Sequence, residues 1–177
     1  MSQAGSYNSG NTPPIQDLEY VSAYLTADTA GVTGDGTNVV VRCNATISTP
    51  TLTGYNTATG TFTAPENGIY SVSSAWTLRG LDVTNTSMNV VFGFAGTGPD
   101  VGNGGYATYA LNPVAIMTGG FLRGSASATF VMNAGDVVNL QIQVNNGATK
   151  NVMISIGVGV PPGFSPGGTW FKIVKIG

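Results

Sequence analysis

Apolar and polar residues alternate along most of the chain beyond residue 19. The apolar members of three such runs are Val90, Phe92 and Phe94; Val138, Leu140, Ile142 and Val144; and Val152, Ile154, Ile156 and Val158. A period of two places one side of an extended strand against a core, whereas an amphipathic helix needs a period of about 3.6 residues. Helical stripes with capping residues are missing, so the pattern predicts an all-β protein.

Turns rich in Gly, Asn, Thr and Pro separate ten segments of this kind. We predict strands at about residues 20–27, 38–48, 61–64, 68–79, 87–95, 105–111, 121–132, 136–145, 151–159 and 169–176. Short strands with such turns are typical of an antiparallel sandwich or barrel. The sequence has no internal repeat of fixed period, which argues against a propeller or a β-helix.

Residues 1–19 form a leader of different composition, rich in Ser, Asn, Gly and Pro. Pro13 and Pro14 favour an extended conformation, and Tyr7 is the only aromatic residue before them. Such a segment cannot bury a core of its own, so we expect it to become ordered by docking on a neighbouring chain. We therefore divide the chain into an extended arm, 1–19, and one domain, 20–177.

The segment 59–72 carries the most specific motif. Phe62 lies between two threonines, and Pro65 ends that strand because proline cannot donate a ladder hydrogen bond. Gly68 permits a turn. One face of the next strand then carries Tyr70, Val72, Ser74, Trp76 and Leu78. The segment predicts a hairpin with an aromatic residue on each arm.

This motif resembles the signature of the globular domain of complement C1q, a jelly roll shared with the tumour necrosis factor superfamily. That pattern is an aromatic residue, then Thr-Gly-x-Phe-Thr-Ala-Pro, two variable residues and Gly-x-Tyr-x-Phe. The matching residues are Tyr55, Thr59, Gly60, Phe62, Ala64, Pro65, Gly68 and Tyr70, whereas Val72 stands where the family often has Phe.

The resemblance extends over residues 20–177. Residues 20–25 and 32–37 resemble the opening strand and loop of the bacterial and viral branch, and Gly135-Asp136 resembles the family's turn into its penultimate core strand. The last strand departs from the family pattern, with Trp170-Phe171 where Phe-x-Gly is usual. The resemblance implies a single ten-stranded antiparallel jelly-roll sandwich that forms a compact homotrimer.

The charge content fits an assembled protein. Only 8% of the residues are charged, against about 25% in a typical soluble domain. Because several predicted strands are apolar on both faces, we expect the missing charge to belong to surface hidden between subunits, with Tyr24, Trp170 and Phe171 as candidate trimer contacts. With a net charge of -2, the chain has no electrostatic footprint for nucleic acid or for an anionic membrane.

Catalytic chemistry is hard to assemble from these residues. The chain has no histidine and a single cysteine, which excludes histidine catalysis, an internal disulfide and Cys-Cys zinc motifs. Arg42 could lower the pKa of Cys43, although the place of Cys43 inside a predicted strand favours a buried hydrophobic role. The acids are scattered singly, and Asp35 and Asp136 adjoin glycines, as in turns. A calcium site in a loop containing Asp28 or Asp35 stays an open alternative, for which a single acid per loop is weak support.

We therefore predict a non-enzymatic protein without cofactors: a trimeric structural or adhesion protein of a virus particle, in particular of a phage. It would be a head fibre, a capsid decoration or a receptor-binding protein, anchored by its arm to capsid or other virion proteins. Since no secretory signal is recognisable, we expect synthesis in the host cytoplasm and a place on the virion surface. No segment is long and apolar enough for membrane insertion.

The alternative interpretation is a soluble bacterial carbohydrate-binding module. Tyr106 and Tyr109 are flanked by glycines and are the candidates for recognising a host-surface glycan or protein. Packing of the same rings at a sheet edge or a subunit interface is the competing interpretation. A glycosidase would require two carboxylates about 5–10 Å apart in one cleft.

Overall fold

The computed structural model describes residues 18–47, 50–81, 89–101, 107–110, 120–145, 147–157 and 168–177. These residues form thirteen strands and no α-helix. The strands are β1 (Tyr20–Tyr24), β2 (Thr29–Thr33), β3 (Asn38–Val40), β4 (Ala45–Thr46), β5 (Tyr55–Asn56), β6 (Thr61–Thr63), β7 (Gly68–Leu81), β8 (Asn89–Gly96), β9 (Ala107–Ala110), β10 (Gly120–Met132), β11 (Val137–Val144), β12 (Val152–Ile154) and β13 (Trp170–Lys175). No described segment forms a helix with the length and apolar character needed to cross a bilayer.

Two antiparallel sheets contain all of these strands. The first sheet has the order β2-β12-β7-β13-β1-β4, and β10 pairs with the other edge of β7. The second has the order β5-β6-β11-β8-β9, and β3 also pairs with β11. Strands distant in sequence are neighbours, as where Val21 lies opposite Ile173. This order, in which the chain crosses between the sheets, is that of a jelly roll, as predicted. The hairpin predicted for residues 59–72 is wrong: β6 and β7 do not pair, because the turn between them carries the chain from the second sheet to the first.

The strand count corrects the prediction of ten. Every predicted segment contains a strand, but 38–48 contains two, β3 and β4, and β2 and β5 were not predicted. β2 lacks apolar alternation because three of its five residues are exposed, and β5 is only two residues long. Such strands leave no periodic signal in the sequence.

The strand predicted at 151–159 is wrong in its extent, since β12 ends at Ile154. An Asp28 carboxylate oxygen accepts hydrogen bonds from the Ser155 hydroxyl and from the Ile156 amide, both at 2.8 Å. The amide of Ile156 is thereby used by a side chain instead of a neighbouring strand, and the Ile156 side chain is exposed. Val158 lies outside the described residues.

The inward faces of the two sheets form one core. The alternation predicted for β7, β8 and β11 is confirmed, since every apolar residue named on their inner faces is buried, as is Ser74. The Trp76 ring of the first sheet lies 4.8 Å from the Phe92 ring of the second, centroid to centroid. Burying a large apolar side chain contributes about 1.5–3 kcal/mol. The largest fully buried side chains are Trp76, Tyr70, Phe62, Phe92, Phe171, Leu78, Leu81, Met132, Leu140, Ile142 and Ile173.

Two turns noted in the sequence, the one that contains Pro65 and the one at Gly135-Asp136, lie next to each other. The Ala64 amide donates to the carbonyl of Asp136 at 2.8 Å, and the Gly135 amide donates to the carbonyl of Ala64 at 2.9 Å. The Ala134 amide donates to Oδ1 of Asn67 at 2.8 Å. These three hydrogen bonds, which we call the turn clasp, join the β6–β7 turn to the turn that precedes β11. Both turns are thereby held at the same end of the sandwich.

Candidate functional site: the outer face of the first sheet

The outer surface of the first sheet has an unusual composition for an uncovered sheet face. Strand register aligns β1, β13, β7 and β10, so their outward side chains form cross-strand rows. Three rows make up what we call the serine-rich face: Tyr20, Val174, Ser71 and Thr129; Ser22, Lys172, Ser73 and Ser127; and Tyr24, Trp170, Ala75 and Ser125.

Charge is almost absent from this face. Lys172 is the only charged residue among its twelve positions, and its Nζ lies 5.8 Å from the centroid of the Tyr20 ring. The next cations on this side are Arg123, two residues from Ser125 on β10, and Arg79, which stacks over Phe121 at 4.9 Å from the ring centroid. Depletion of charge together with tyrosine and tryptophan is typical of the central part of a protein–protein interface, whereas the abundance of serine is not.

An apolar row continues the face at one end. Ile69 of β7 lies directly opposite Val131 of β10, and the Ile176 amide donates to the carbonyl of Ile69 at 2.8 Å. These three side chains are 40%, 49% and 55% exposed. Isolated exposed isoleucines are ordinary, but neighbouring ones beside an uncharged face extend its apolar area.

The candidate trimer contacts separate into two groups. Tyr24 and Trp170 are half-buried cross-strand partners on the serine-rich face. Phe171 points to the opposite side, is 2% exposed and packs on Tyr55 and Phe94 at centroid distances of 5.6 and 6.2 Å. The period of two that places Trp170 outside places Phe171 inside, so the prediction of a trimer contact is corrected for Phe171, which is a core residue.

The signature residues have structural positions. Phe62 and Tyr70 are buried with their ring centroids 5.6 Å apart, and the Tyr55 hydroxyl donates to the carbonyl of Cys43 at 3.0 Å. Pro65 and Asp136 lie in the two turns joined by the clasp, where Oδ2 of Asp136 accepts from the Asn133 amide at 2.7 Å. The buried rings and the hydrogen bonds within the turns are consistent with a role in folding.

Other predicted positions fall outside the described residues. Tyr7, Pro13 and Pro14 of the arm are among them, and so is Tyr106. Tyr109 lies in β9 opposite Val90, but only its backbone is described. The recognition role of the two tyrosines therefore stays a prediction.

The described carboxylates serve turns and ion pairs. Glu66 lies 2.6 Å and Glu19 3.9 Å from Nζ of Lys175, which raises the lysine pKa chiefly through its hydrogen bond to Glu66. Asp28 accepts from Ser155 and pairs with Arg79 at 3.4 Å. Glu19 and Glu66 are the described acids that share a partner, Lys175. Because both carboxylates are exposed, this arrangement is a surface ion pair. No group of three or more potential metal ligands occurs among the described residues.

Cys43 has no features of a reactive thiol. It is fully buried, and burial raises its pKa to about 12. A thiol that remains protonated at neutral pH is a poor nucleophile. The adjacent Arg42 is exposed and does not offset the burial.

Comparison with solved structures identifies the fold. The Eiger TNF from S. frugiperda matches with a TM-score of 0.55 and 13% identity, over 90% of this chain and 93% of that one. Murine APRIL matches with a TM-score of 0.53 and 14% identity, over 90% of this chain and all of that one. The chain has the C1q/TNF-like jelly-roll fold.

Within this jelly-roll fold, β1, β13, β7 and β10 are four of the seven strands of the first sheet, and their outward side chains form the serine-rich face. The globular domain of zebrafish complement 1qA also aligns over 88% of this chain and 94% of that one, with 11% identity and a TM-score of 0.49. No protein-family model and no curated protein sequence matches the chain. At these identities the likeness concerns the fold.

Proposed function

We propose that the chain forms a homotrimer and serves as a non-enzymatic structural or adhesion protein of a virus particle, in particular of a phage. The observation that carries the proposal is the serine-rich face, where Lys172 is the single charge among twelve outward positions. A solvated sheet face normally alternates apolar inward residues with charged or polar outward ones. Six of the twelve positions here are Ser or Thr, so the face keeps the polar groups of such a surface but carries three aromatic rings and almost no charge.

The composition of the face suits a subunit contact. Ser71, Ser73 and Ala75 are central and small, so a second chain can approach the sheet closely. Tyr24 and Trp170 offer large rigid surfaces that lose little conformational entropy on binding. Covering such a face would also account for a chain with only 8% charged residues.

The virion role rests on the sequence and on the lack of reactive groups in the described part of the chain. The turn clasp and the core use the signature residues, and Cys43 is buried. The polar arm, with Pro13 and Pro14, provides an extended anchor for capsid or other virion proteins. The jelly roll would then be displayed outward as a head fibre, a decoration or a receptor-binding domain.

A matched pair of variants tests the trimer. Ala75 and Ala95 are both half-buried alanines on central strands, one on the outer face of each sheet. We expect Ala75→Arg to convert the trimer to monomer in sedimentation velocity, because three arginines would be desolvated in the contact. Ala95→Arg should remain trimeric. A monomeric wild-type protein at micromolar concentration, or equal behaviour of the two variants, would contradict the proposal.

The virion role has its own test. Antibodies against the chain are applied to purified particles from a culture that produces it, and bound antibody is located by electron microscopy with gold labels. Regularly placed label on the particle surface is the expected result. Label confined to the soluble fraction would overturn the virion role while leaving the trimer proposal intact.

A further inference from the structure

A cavity opens between the two sheets where β2 and β3 pass each other. Its volume is about 550 Å³, within the range of about 300–1,000 Å³ that is usual for small-molecule sites. β2 belongs to the first sheet and β3 to the second, and the two strands do not pair with each other. The cavity is therefore a gap at an edge of the sandwich, away from the serine-rich face.

Two cations line this cavity, and none of its described lining residues is an acid. They are Arg42 and Lys150, two of the six lysines and arginines in the chain. Among the described residues, neither has a carboxylate oxygen within 4.0 Å. In a protein so poor in charge, two exposed cations without ion-pair partners at one cavity create a local positive potential.

The nearby acids are engaged elsewhere. Asp28 is bonded to Ser155, Ile156 and Arg79. Oδ1 of Asp35 accepts from the Thr37 amide at 3.0 Å, and the pKa of Asp35 is lowered mainly by hydrogen bonds from Thr37 and less by Lys150. Lys150 therefore contributes only a little to the lowered pKa of Asp35. Its ammonium group remains available for a closer anion.

The walls of the cavity are aliphatic, and neutral polar groups are interspersed among them. Five aliphatic side chains line it: Leu25, Val32, Val39, Val40 and Ile154. Thr29 and Asn38 add a hydroxyl and an amide. Gly31 lets the backbone approach closely, since its φ is +63° and a Cβ there would lie 3.3 Å from the Lys150 carbonyl oxygen.

We propose that this cavity binds an acidic sugar residue, with its carboxylate on Arg42 and Lys150 and one ring face on the valines. A sugar carries carbon-bound hydrogens for the aliphatic walls and hydroxyls for Thr29 and Asn38. A simple aliphatic carboxylate lacks hydroxyls for the Thr29 hydroxyl and for the side-chain carbonyl oxygen of Asn38, whose Nδ2 already donates to Oε1 of Gln141. The proposal names the ligand class of an adhesion protein, but it does not depend on the trimer, because all the lining residues described belong to one chain.

The test is a titration of the full chain with a sugar, in which methyl NMR detects binding. Galacturonate and galactose form a matched pair that differs in a carboxylate against a hydroxymethyl group. We expect galacturonate to shift the methyl signals of Val32, Val39 and Val40, and galactose to bind at least about tenfold more weakly. Raising the salt concentration should weaken galacturonate binding.

Charge-removing variants locate the site. Arg42→Gln and Lys150→Gln should each weaken galacturonate binding by about tenfold or more. Arg123→Gln, which removes an exposed cation elsewhere, should leave it unchanged. Unchanged thermal midpoints would show that all three variants are folded. The proposal would be overturned if galacturonate caused no shifts, if galactose or hexanoate bound equally well, or if the three variants behaved alike.

Discussion

Gly60 illustrates how single residues of the signature motif act. Its φ is +72°, in the left-handed region that favours glycine. A Cβ at this position would lie 2.5 Å from the Val41 carbonyl oxygen, so the turn before β6 passes directly over the backbone that follows β3. Gly135 has a φ of +90° but nothing within 4 Å of a Cβ. The two glycines share a conformational requirement but differ in their surroundings.

This difference predicts unequal costs of the same substitution. Gly135→Ala should lower the free energy of unfolding by about 1–2 kcal/mol through backbone strain alone. Gly60→Ala adds a clash with backbone and should cost about 1–3 kcal/mol more. Urea unfolding of both variants measures the difference. Equal losses would show that the close approach at Val41 relaxes freely.

The buried thiol of Cys43 predicts a dependence of stability on alkaline pH. Its pKa is raised to about 12 in the folded chain, whereas an unfolded thiol ionises near pH 8.5. Above that pH the unfolded state releases a proton that the folded state keeps, so the free energy of unfolding falls as pH rises. The slope approaches about 1.4 kcal/mol per pH unit.

Urea unfolding between about pH 8.5 and pH 9.5 tests this, because tyrosines stay largely protonated there. Cys43→Ala should be less stable at neutral pH but should show a flatter decline over this interval. A variant whose stability declines as steeply as that of the wild type would assign the effect to other groups.

At the scale of elements, the turn clasp fixes where the two sheets meet. The β6–β7 turn and the turn before β11 lie about seventy residues apart in sequence, yet Asn67 and Ala134 share a hydrogen bond. β7 is the longest strand of the first sheet, and β11 is central in the second. The clasp therefore sets the ends of both strands relative to each other.

Removing the side-chain part of the clasp predicts a local effect. Asn67→Ala should lower the free energy of unfolding by about 1 kcal/mol and speed hydrogen exchange at the Ala134 amide. Asn67→Asp keeps an oxygen acceptor in the same place and should retain most of the protection. If the Ala134 amide exchanges at the wild-type rate in Asn67→Ala, the hydrogen bond is not what protects that amide.

At the scale of the whole molecule, the few charged residues are not spread evenly over the surface. The three rows of the serine-rich face hold small side chains, a few aromatic rings and Lys172, whereas Arg42 and Lys150 lie at the cavity between β2 and β3. Charge is therefore unevenly distributed: it is sparse on the serine-rich face, whereas two cations without a described ion-pair partner lie at the edge where we propose ligand binding. A protein with this distribution can hide one surface and still present a charged one.

If the serine-rich face is the subunit contact, thermal stability depends on concentration. Dissociation accompanies unfolding of a trimer, so the thermal midpoint should rise by roughly 2–4 °C for each tenfold increase in protein concentration. Ala75→Arg should have a midpoint that does not change with concentration. Calorimetry at several concentrations measures both, and a constant midpoint for the wild type would contradict assembly.

The sequence alone determined the all-β class and the position of every long strand. It did so because β7, β8 and β11 each have one buried face, and a period of two appears wherever a strand separates core from surface. The turn between Phe62 and Tyr70 was also legible, since proline and glycine restrict or free the backbone locally. The hairpin predicted there was wrong, because β6 pairs with β5 and β11 in the second sheet and β7 belongs to the first.

Only the tertiary structure decided which distant residues meet. Nothing in the sequence signals that β2 pairs with β12, because exposed short strands lack periodicity, or that Asp28 ends β12 at Ile154. The sequence could not show that Phe171 is inside while Trp170 is outside, since either parity fits an apolar run. The serine-rich face and the Arg42–Lys150 cavity arise from strand order and sheet edges, which depend on long-range pairing that local patterns do not encode.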